Sequence, residues 1–204
     1  MLFLLLSLPL TFIAVSAPRL VPLVFGPQWE ESYPAAQILA IAGVLSVGAW
    51  LDHGLFYGLG RPGSWFWYAL AIDALTLATT IGVVRWGIVA IAFGFLGVAA
   101  IATVVRLFLV SVAIGCRVRE LLRPFGYLIL VGAGAGGAGS IVMQSTNSLP
   151  AWIALLLAGL AILLVHGVIS FVAARASLVE IARLVARSRW GTQMPFFAKI
   201  GALG

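Results

Sequence analysis

The sequence predicts an all-α integral membrane protein. Of its 204 residues, 63% are hydrophobic and only 9% are charged, whereas a soluble domain carries about a quarter charged residues. Its mean hydropathy is +1.15. The apolar residues form long continuous runs without the alternation of a barrel strand, so helices are the expected spanning elements. The chain has too few charged residues to cover its surface in water, and it is therefore expected in a bilayer.

Six stretches are close to the roughly 20 apolar residues that a helix needs to cross the hydrocarbon. They cover residues 1–24, 34–59, 64–84, 87–115, 125–143 and 151–174, and turn-forming or basic residues separate them. These six transmembrane helices make one domain over residues 1–174. Residues 175–204 are predicted to form a cytoplasmic amphipathic helix and a loose tail. No basic residue precedes the first apolar run, which argues against a cleaved signal peptide.

The distribution of Lys and Arg predicts the orientation of these helices. Two basic residues, Arg19 and Arg85, lie in the connections on one side. Nine lie on the opposite side, namely Arg61, Arg117, Arg119, Arg123, Arg175, Arg183, Arg187, Arg189 and Lys199. Because Lys and Arg accumulate in cytoplasmic connections, the C-terminus is expected in the cytoplasm. The same rule accounts for the net charge of +6 without binding to nucleic acid.

Residues 128–141, LILVGAGAGGAGSI, contain the pattern GxGxxG of dinucleotide-binding loops. Such a loop needs an acidic residue about 20 positions further on within a βαβ unit. Here the next acidic residue is Glu180, beyond another span. Gly132, Gly136 and Ser140 stand four residues apart on one helix face, a pattern that lets membrane helices approach closely. We predict a packing face there and no bound nucleotide.

Ionisable residues at membrane depth are costly, and each is a candidate for a substrate or ion pathway. Asp52 and His53 fall in the second span, Asp73 in the third and Arg106 in the fourth. Since Asp73 and Arg106 lie at similar depth on adjacent antiparallel spans, a structural ion pair between them is the simplest interpretation, with substrate or proton handling as the alternative. For Asp52 and His53 the simplest interpretation is exposure to a water-filled cavity near the interface. His166 is expected to be hydrogen-bonded within the bundle or interfacial.

No combination of residues suggests an enzyme. The sequence has no Cys/His cluster for a metal, no GxSxG, and no acidic pair in a loop such as a membrane glycosyltransferase would use. Cys116 is the single cysteine. We therefore expect no catalytic residue, metal site or cofactor.

Two stretches carry short motifs whose order and spacing are informative together. In the first, VFGPQW at residues 24–29 is followed by QIL at 37–39 and GRP at 60–62. In the second, VRWGIVAIAFGFLGVAA at residues 84–100 has a tight turn followed by Gly-Ile. An Arg-rich stretch precedes Pro124. These features resemble the C-terminal domain of bacterial polysaccharide flippases, which belong to the multidrug/oligosaccharidyl-lipid/polysaccharide exporter superfamily.

The resemblance implies a transporter of about 12 to 14 helices in two lobes, which carries polyprenyl-diphosphate-linked oligosaccharide across the bacterial inner membrane by alternating access. This chain would correspond to the C-terminal lobe and is expected to be a fragment or a truncated gene model. Its expected partners are the lipid bilayer, the lipid-linked oligosaccharide and the N-terminal lobe of the same transporter. Family members bind the diphosphate with basic residues, and Arg106 is the intramembrane cation available for that role. A drug/cation antiporter of the same superfamily and a membrane scaffold subunit without transport are the alternatives.

Overall fold

The computed structural model describes residues 2–47 and 49–187, and these residues form helices and short connections without a strand. The α-helices are α1 (Leu2–Phe25), α2 (Tyr33–Ser46), α3 (Ala49–Gly58), α4 (Pro62–Val83), α5 (Ile88–Ile114), α6 (Val118–Ser145) and α7 (Ala151–Arg187). Short 3₁₀ helices follow α1 at Pro27–Ser32 and α4 at Val84–Trp86. The all-α membrane fold is thus confirmed.

Four segments of the described chain are long and apolar enough to cross a membrane. They are Leu6–Phe25, Pro62–Trp86, Ile88–Ile114 and Ala151–Ile169, which correspond to the first, third, fourth and sixth predicted spans. The expected number of about six is not confirmed, because the second predicted span is divided into α2 and α3 and the apolar part of α6, Ile129–Ser145, is shorter.

Two predicted boundaries are wrong. The turn expected at Arg123-Pro124 lies inside α6, which already begins at Val118. Pro124 is beyond the first turn of α6 and lacks the amide hydrogen that would bond to the Glu120 carbonyl, yet the helix continues through it. The last span and the amphipathic segment after it form one helix, α7, which has 37 residues. Residues 188–204, which include the end of the predicted amphipathic helix and the predicted tail, lie outside the described residues.

Helix α1 lies in the middle of the packing arrangement. It contacts α2 on one side and α6 and α7 on another, whereas α5 packs against α2 and α4. We refer to α1, α6 and α7 as the α1–α6–α7 core, and to α2, α3, α4 and α5 as the α2–α5 layer. The consecutive pairs α4–α5 and α6–α7 are antiparallel, as their short connections require, whereas α1 runs parallel to α6 and α2 runs parallel to α5.

Arg19 links α1 to α6 at one end of the α1–α6–α7 core. The guanidinium of Arg19 in α1 donates to the backbone carbonyls of Met143 and Thr146 at 3.2 and 3.1 Å, and to Asn147 Oδ1 at 2.6 Å. A cation beside the last carbonyls of α6 satisfies acceptors that have no partner within the helix. Arg19 and the loop after α6 therefore share one end of the molecule, as the basic-residue pattern predicted.

A buried hydrogen bond joins the first part of α1 to the middle of α7. Ser7 Oγ lies 2.9 Å from His166 Nε2, and both side chains are buried. The expectation that His166 is hydrogen-bonded within the bundle is confirmed.

The closest approach of α6 to its neighbours is made by a glycine outside the predicted set. A Cβ atom on Gly139 would lie 2.6 Å from the Ile162 side chain of α7. At Gly136 a Cβ atom would make only an ordinary contact of 3.7 Å with Thr11 of α1, and at Gly132 it would meet nothing within 4 Å. Ser140 Oγ donates to the Gly136 carbonyl at 2.8 Å. The predicted face therefore borders α1, while the tightest contact is with α7 because α6 packs on two sides.

Candidate functional site: a broken helix beside a buried arginine

The predicted second span is interrupted in its middle. Helix α2 ends at Ser46 and α3 begins at Ala49. The interval contains Gly48, and only proline has a lower helix propensity than glycine. At this end of α2 the Leu45 carbonyl is reached by two side chains of α5, which the sequence did not connect with this span.

Those two side chains are Thr103 and Arg106. Thr103 Oγ1 donates to the Ala99 carbonyl of its own helix at 2.8 Å and lies 3.2 Å from the Leu45 carbonyl oxygen, to which Arg106 Nη2 donates at 3.3 Å. The carbonyls at the C-terminus of a helix carry a partial negative charge, which a guanidinium stabilises. Helix α5 thus caps the end of α2 at the interruption.

Arg106 also forms an ion pair with α3. Its Nη1 lies 3.0 Å from Asp52 Oδ2, and the side chains of Arg106 and Asp52 are 2% and 21% exposed. Asp52 stands in the first turn of α3, where the helix dipole favours a negative charge. Arg106 therefore contacts both half-helices, the end of α2 and the beginning of α3.

This ion pair corrects the predicted partner of Arg106. Asp73 of α4 and Arg106 of α5 line one cavity. The carboxylate paired with the guanidinium is nevertheless Asp52, and Asp73 is exposed on α4. A pair between the third and fourth spans was expected from their short connection. The break in the second span brings Asp52 within reach of Arg106.

The cavity has a volume of about 190 Å³ and is lined by α2, the start of α3, α4 and α5. Besides Asp73 and Arg106, its polar lining consists of Ser46, Tyr68 and Thr103. Tyr68 Oη donates to the Ala102 carbonyl at 3.0 Å, which links α4 to α5. A Cβ atom on Gly94 would lie 2.8 Å from Thr79, so the two helices also approach closely towards the end of α4. These contacts fix the wall that carries Asp73.

His53 belongs to a different environment from its neighbour Asp52. It is exposed, and its ring centroid lies 4.5 Å from that of Tyr57 and 5.7 Å from that of Trp65, the latter edge-on. Trp65 also contacts the rings of Phe56 and Tyr68. The predicted wet cavity therefore does not unite Asp52 with His53: one is ion-paired and the other is part of an aromatic cluster.

Sequence reasoning missed Tyr68, Thr103 and the Leu45 carbonyl. Thr103 stands three residues before Arg106 and thus on the same helix face, which was an available signal. The Leu45 carbonyl could not be identified from the sequence, because it belongs to the site only through the break between α2 and α3. Of the four predicted site residues, Asp73 and Arg106 line the cavity, Asp52 is ion-paired with Arg106, and His53 lies in the aromatic cluster.

 Among the described residues, no group of three or more His, Cys, Asp or Glu side chains is placed to hold a metal ion.

No protein-family model, curated protein or solved structure matches this chain. A functional proposal therefore depends on the site itself and on the sequence motifs.

Proposed function

We propose that the chain is the C-terminal portion of an inner-membrane flippase that translocates polyprenyl-diphosphate-linked oligosaccharide for a cell-surface polysaccharide such as O-antigen, capsule or exopolysaccharide. The observation that carries this proposal is the interruption between α2 and α3, held by the buried guanidinium of Arg106. Secondary transporters form their substrate and ion sites at discontinuous helices near the middle of the bilayer. The order of the Phe-Gly-Pro, Gln-Ile-Leu and Gly-Arg-Pro motifs supplies the substrate class.

The aromatic residues of α4 and the turn after it support a site at membrane depth. Trp67 and Trp86 are both exposed, and at 1.5 Å per residue they lie about 28 Å apart along the helix. This separation is close to the ~30 Å thickness of the hydrocarbon, and exposed Trp residues favour its two interfaces. Asp73 lies between them, about 9 Å along the helix from Trp67. The cavity beside Asp73 and Arg106 would then lie within the hydrocarbon.

In this conformation Arg106 is occupied by Asp52 and the Leu45 carbonyl. A diphosphate could use the guanidinium only if the two half-helices move and release it. Alternating access provides such a movement, because one group of helices shifts against another around the site. We therefore assign Arg106 two successive roles, a tie between α2 and α3 in one state and an anion ligand in another.

One observation favours a drug/cation antiporter as the second candidate. Asp73 lines the cavity and is exposed, and a carboxylate in such a position attracts a cationic substrate rather than an anionic one. A scaffold subunit that does not transport is the third candidate, and no feature of the site favours it.

The test is to restore surface polysaccharide in a bacterial strain that lacks its own lipid-linked oligosaccharide flippase. The complete reading frame that contains this chain would be expressed as the natural protein, as Arg106→Gln and as Arg85→Gln. Arg85 is an exposed arginine that contacts the ring of Trp86, so it controls for the loss of one positive charge. We expect the natural protein and Arg85→Gln to restore polysaccharide, and Arg106→Gln to fail even when its expression is raised until its abundance in the membrane matches that of the natural protein.

Other results would contradict the flippase proposal. If the natural protein restores no polysaccharide but confers resistance to cationic dyes, the antiporter is correct. If it does neither while reaching the membrane in normal amounts, the scaffold is favoured. Restoration by Arg106→Gln at the natural level would remove the anion-binding role from this arginine.

A further inference from the structure

Two turns of the chain line a common pocket far from the cavity beside Arg106. The 3₁₀ helix after α1 contributes Gln28, Trp29 and Glu31, and the junction between α4 and α5 contributes Trp86. The pocket has a volume of about 600 Å³, which lies within the range of about 300–1,000 Å³ that is usual for small-ligand sites. No residue lines both this pocket and the cavity, so the two are separate sites.

Two glycines fix the shape of these turns. Gly26 precedes the first turn with φ 99° and ψ 163°, and Gly87 ends the second with φ 91° and ψ 177°. Only glycine adopts this backbone conformation without strain. The Gln28 side chain is held as well, since its Nε2 donates to the Phe25 carbonyl at 3.0 Å. The two turns therefore hold their tryptophans in defined places.

The charged residue that lines this pocket is acidic. Glu31 is exposed on its wall, whereas the cation Arg85 lies over the ring of Trp86, 5.2 Å from its centroid, and does not line the pocket. Trp29 and Trp86 are 51% and 65% exposed. The face of an indole ring attracts a cation, and a nearby carboxylate adds to this attraction. Two indole rings and one carboxylate therefore favour an organic cation such as an ammonium group.

The pocket lies at the level where phospholipid headgroups are found. Trp86 is about 28 Å from Trp67 along the helix axis. This separation is close to the ~30 Å thickness of the hydrocarbon, so the two rings are expected at its two interfaces. An interfacial position accounts for each exposed tryptophan singly, but not for the meeting of Trp29 and Trp86 with Glu31 in one pocket. A headgroup that carries an ammonium group matches both the position and the charge.

We propose that this pocket binds the ammonium headgroup of a zwitterionic phospholipid, with Glu31 as its charged partner and the rings of Trp29 and Trp86 as its walls. Phosphatidylethanolamine carries this group. Phosphatidylglycerol has a negative phosphate and no positive charge, so Glu31 disfavours it. In the orientation that the basic residues predict, the bound lipid belongs to the outer leaflet. The inference does not depend on the transported substrate.

The test is the thermal unfolding of the purified full chain in detergent, with increasing mole fractions of phosphatidylethanolamine or of phosphatidylglycerol with the same acyl chains. A ligand that binds only the folded state raises the melting temperature with a saturable dependence on its concentration. We expect a saturable rise with phosphatidylethanolamine and a smaller response to phosphatidylglycerol. In Glu31→Gln the mole fraction of phosphatidylethanolamine for half of the effect should increase about tenfold, which corresponds to the loss of the charged partner.

Glu30→Gln is the matched control, because Glu30 is the adjacent exposed carboxylate and does not line the pocket. This variant should keep the natural response. Trp86→Leu should weaken the response to phosphatidylethanolamine, whereas Trp67→Leu, towards the other end of α4, should retain it. Glu31 and Trp86 are both exposed, so their variants are expected to fold.

The proposal is overturned if the two lipids raise the melting temperature of the natural protein equally, or if Glu31→Gln responds to phosphatidylethanolamine as the natural protein does. An equal loss of response in Glu30→Gln would also overturn it, because the effect would then be one of general surface charge. Free ethanolamine carries the same ammonium group without the lipid. If it alone gives the same saturable rise at millimolar concentration, the ligand is a soluble amine and the lipid assignment is wrong. Mass spectrometry of the lipid that stays with each variant after a detergent wash provides a direct count that does not depend on stability.

Discussion

The α1–α6–α7 core and the α2–α5 layer are packed by different means. In the core, polar side chains are satisfied by other helices: Ser7 contacts His166, and Arg19 donates three hydrogen bonds to the end of α6 and the following loop. Gly139 lets α6 and α7 approach closely. The layer also has hydrogen bonds between helices, from Tyr68 to α5 and from Arg106 to α2. There, however, α2 and α3 are separated, α4 has no buried residue, and a cavity remains beside charged groups. The comparison suggests that the core is a stable support and that the layer contains the part that can rearrange.

The largest expected effect is in the layer, at the ion pair between Asp52 and Arg106. Removing one partner of a buried pair leaves an uncompensated charge and costs about 3–5 kcal/mol, whereas removing both costs less. We therefore expect Asp52→Asn and Arg106→Gln each to reduce stability strongly in detergent unfolding, and the double variant to lose less than the sum. The matched cycle with Asp73→Asn and Arg106→Gln should be closer to additive. A larger coupling for Asp73 than for Asp52 would contradict the observed pairing.

The next largest effect is expected in the core, at the contact between α6 and α7. A side chain on Gly139 would overlap Ile162, and overpacking costs about 1–3 kcal/mol. Gly139→Leu should therefore lower the melting temperature clearly more than Gly137→Leu, because a Cβ atom on Gly137 meets nothing within 4 Å. Gly136→Leu should fall between them, since its neighbour Thr11 lies at ordinary contact distance. Equal melting temperatures for the variants at 139 and 137 would show that the two helices are not in tight contact.

The smallest effect is expected for the hydrogen bond between Ser7 and His166. Loss of one buried hydrogen bond costs about 1 kcal/mol, so Ser7→Ala should reduce the free energy of unfolding by about that amount. Ser145→Ala is the control, because the Ser145 hydroxyl is exposed and donates only within its own helix. If the two variants lose the same stability, the bond between α1 and α7 contributes nothing specific to the core.

Much of the fold could be predicted from the sequence, because the length of an apolar run can be counted without knowledge of which helices lie beside it. The runs that became α1, α4, α5 and the first part of α7 are long and apolar, and their ends are marked by turn residues. The break between α2 and α3 was missed because an apolar run of sufficient length hides a single weak point such as Gly48. Side chains of α5 stabilise the end of α2 at this break, and those residues lie outside the apolar run itself.

The charged residues of the candidate site were predicted from the sequence, but their contacts were not. Asp52, Asp73 and Arg106 were identified because charged residues inside apolar runs are rare. Their pairing could not be derived, since it depends on the rotation of each helix and on the break. Gly139 was overlooked in favour of Gly132 and Gly136, because spacing identifies residues on one face of α6 but not which neighbour lies against that face.

The separation of Asp52 from its partner along the chain has a consequence for synthesis of the protein. Arg106 follows Asp52 by 54 positions, and at about 5–20 residues per second the ribosome needs several seconds to make the intervening segment. During that time α3 carries a carboxylate whose cation does not yet exist. Helices α2 and α3 have 14 and 10 residues, and neither reaches the roughly 20 residues required to cross the hydrocarbon alone. We therefore expect this segment to remain in the hydrated insertion pathway or at the interface until α5 emerges, and to complete its insertion together with that helix.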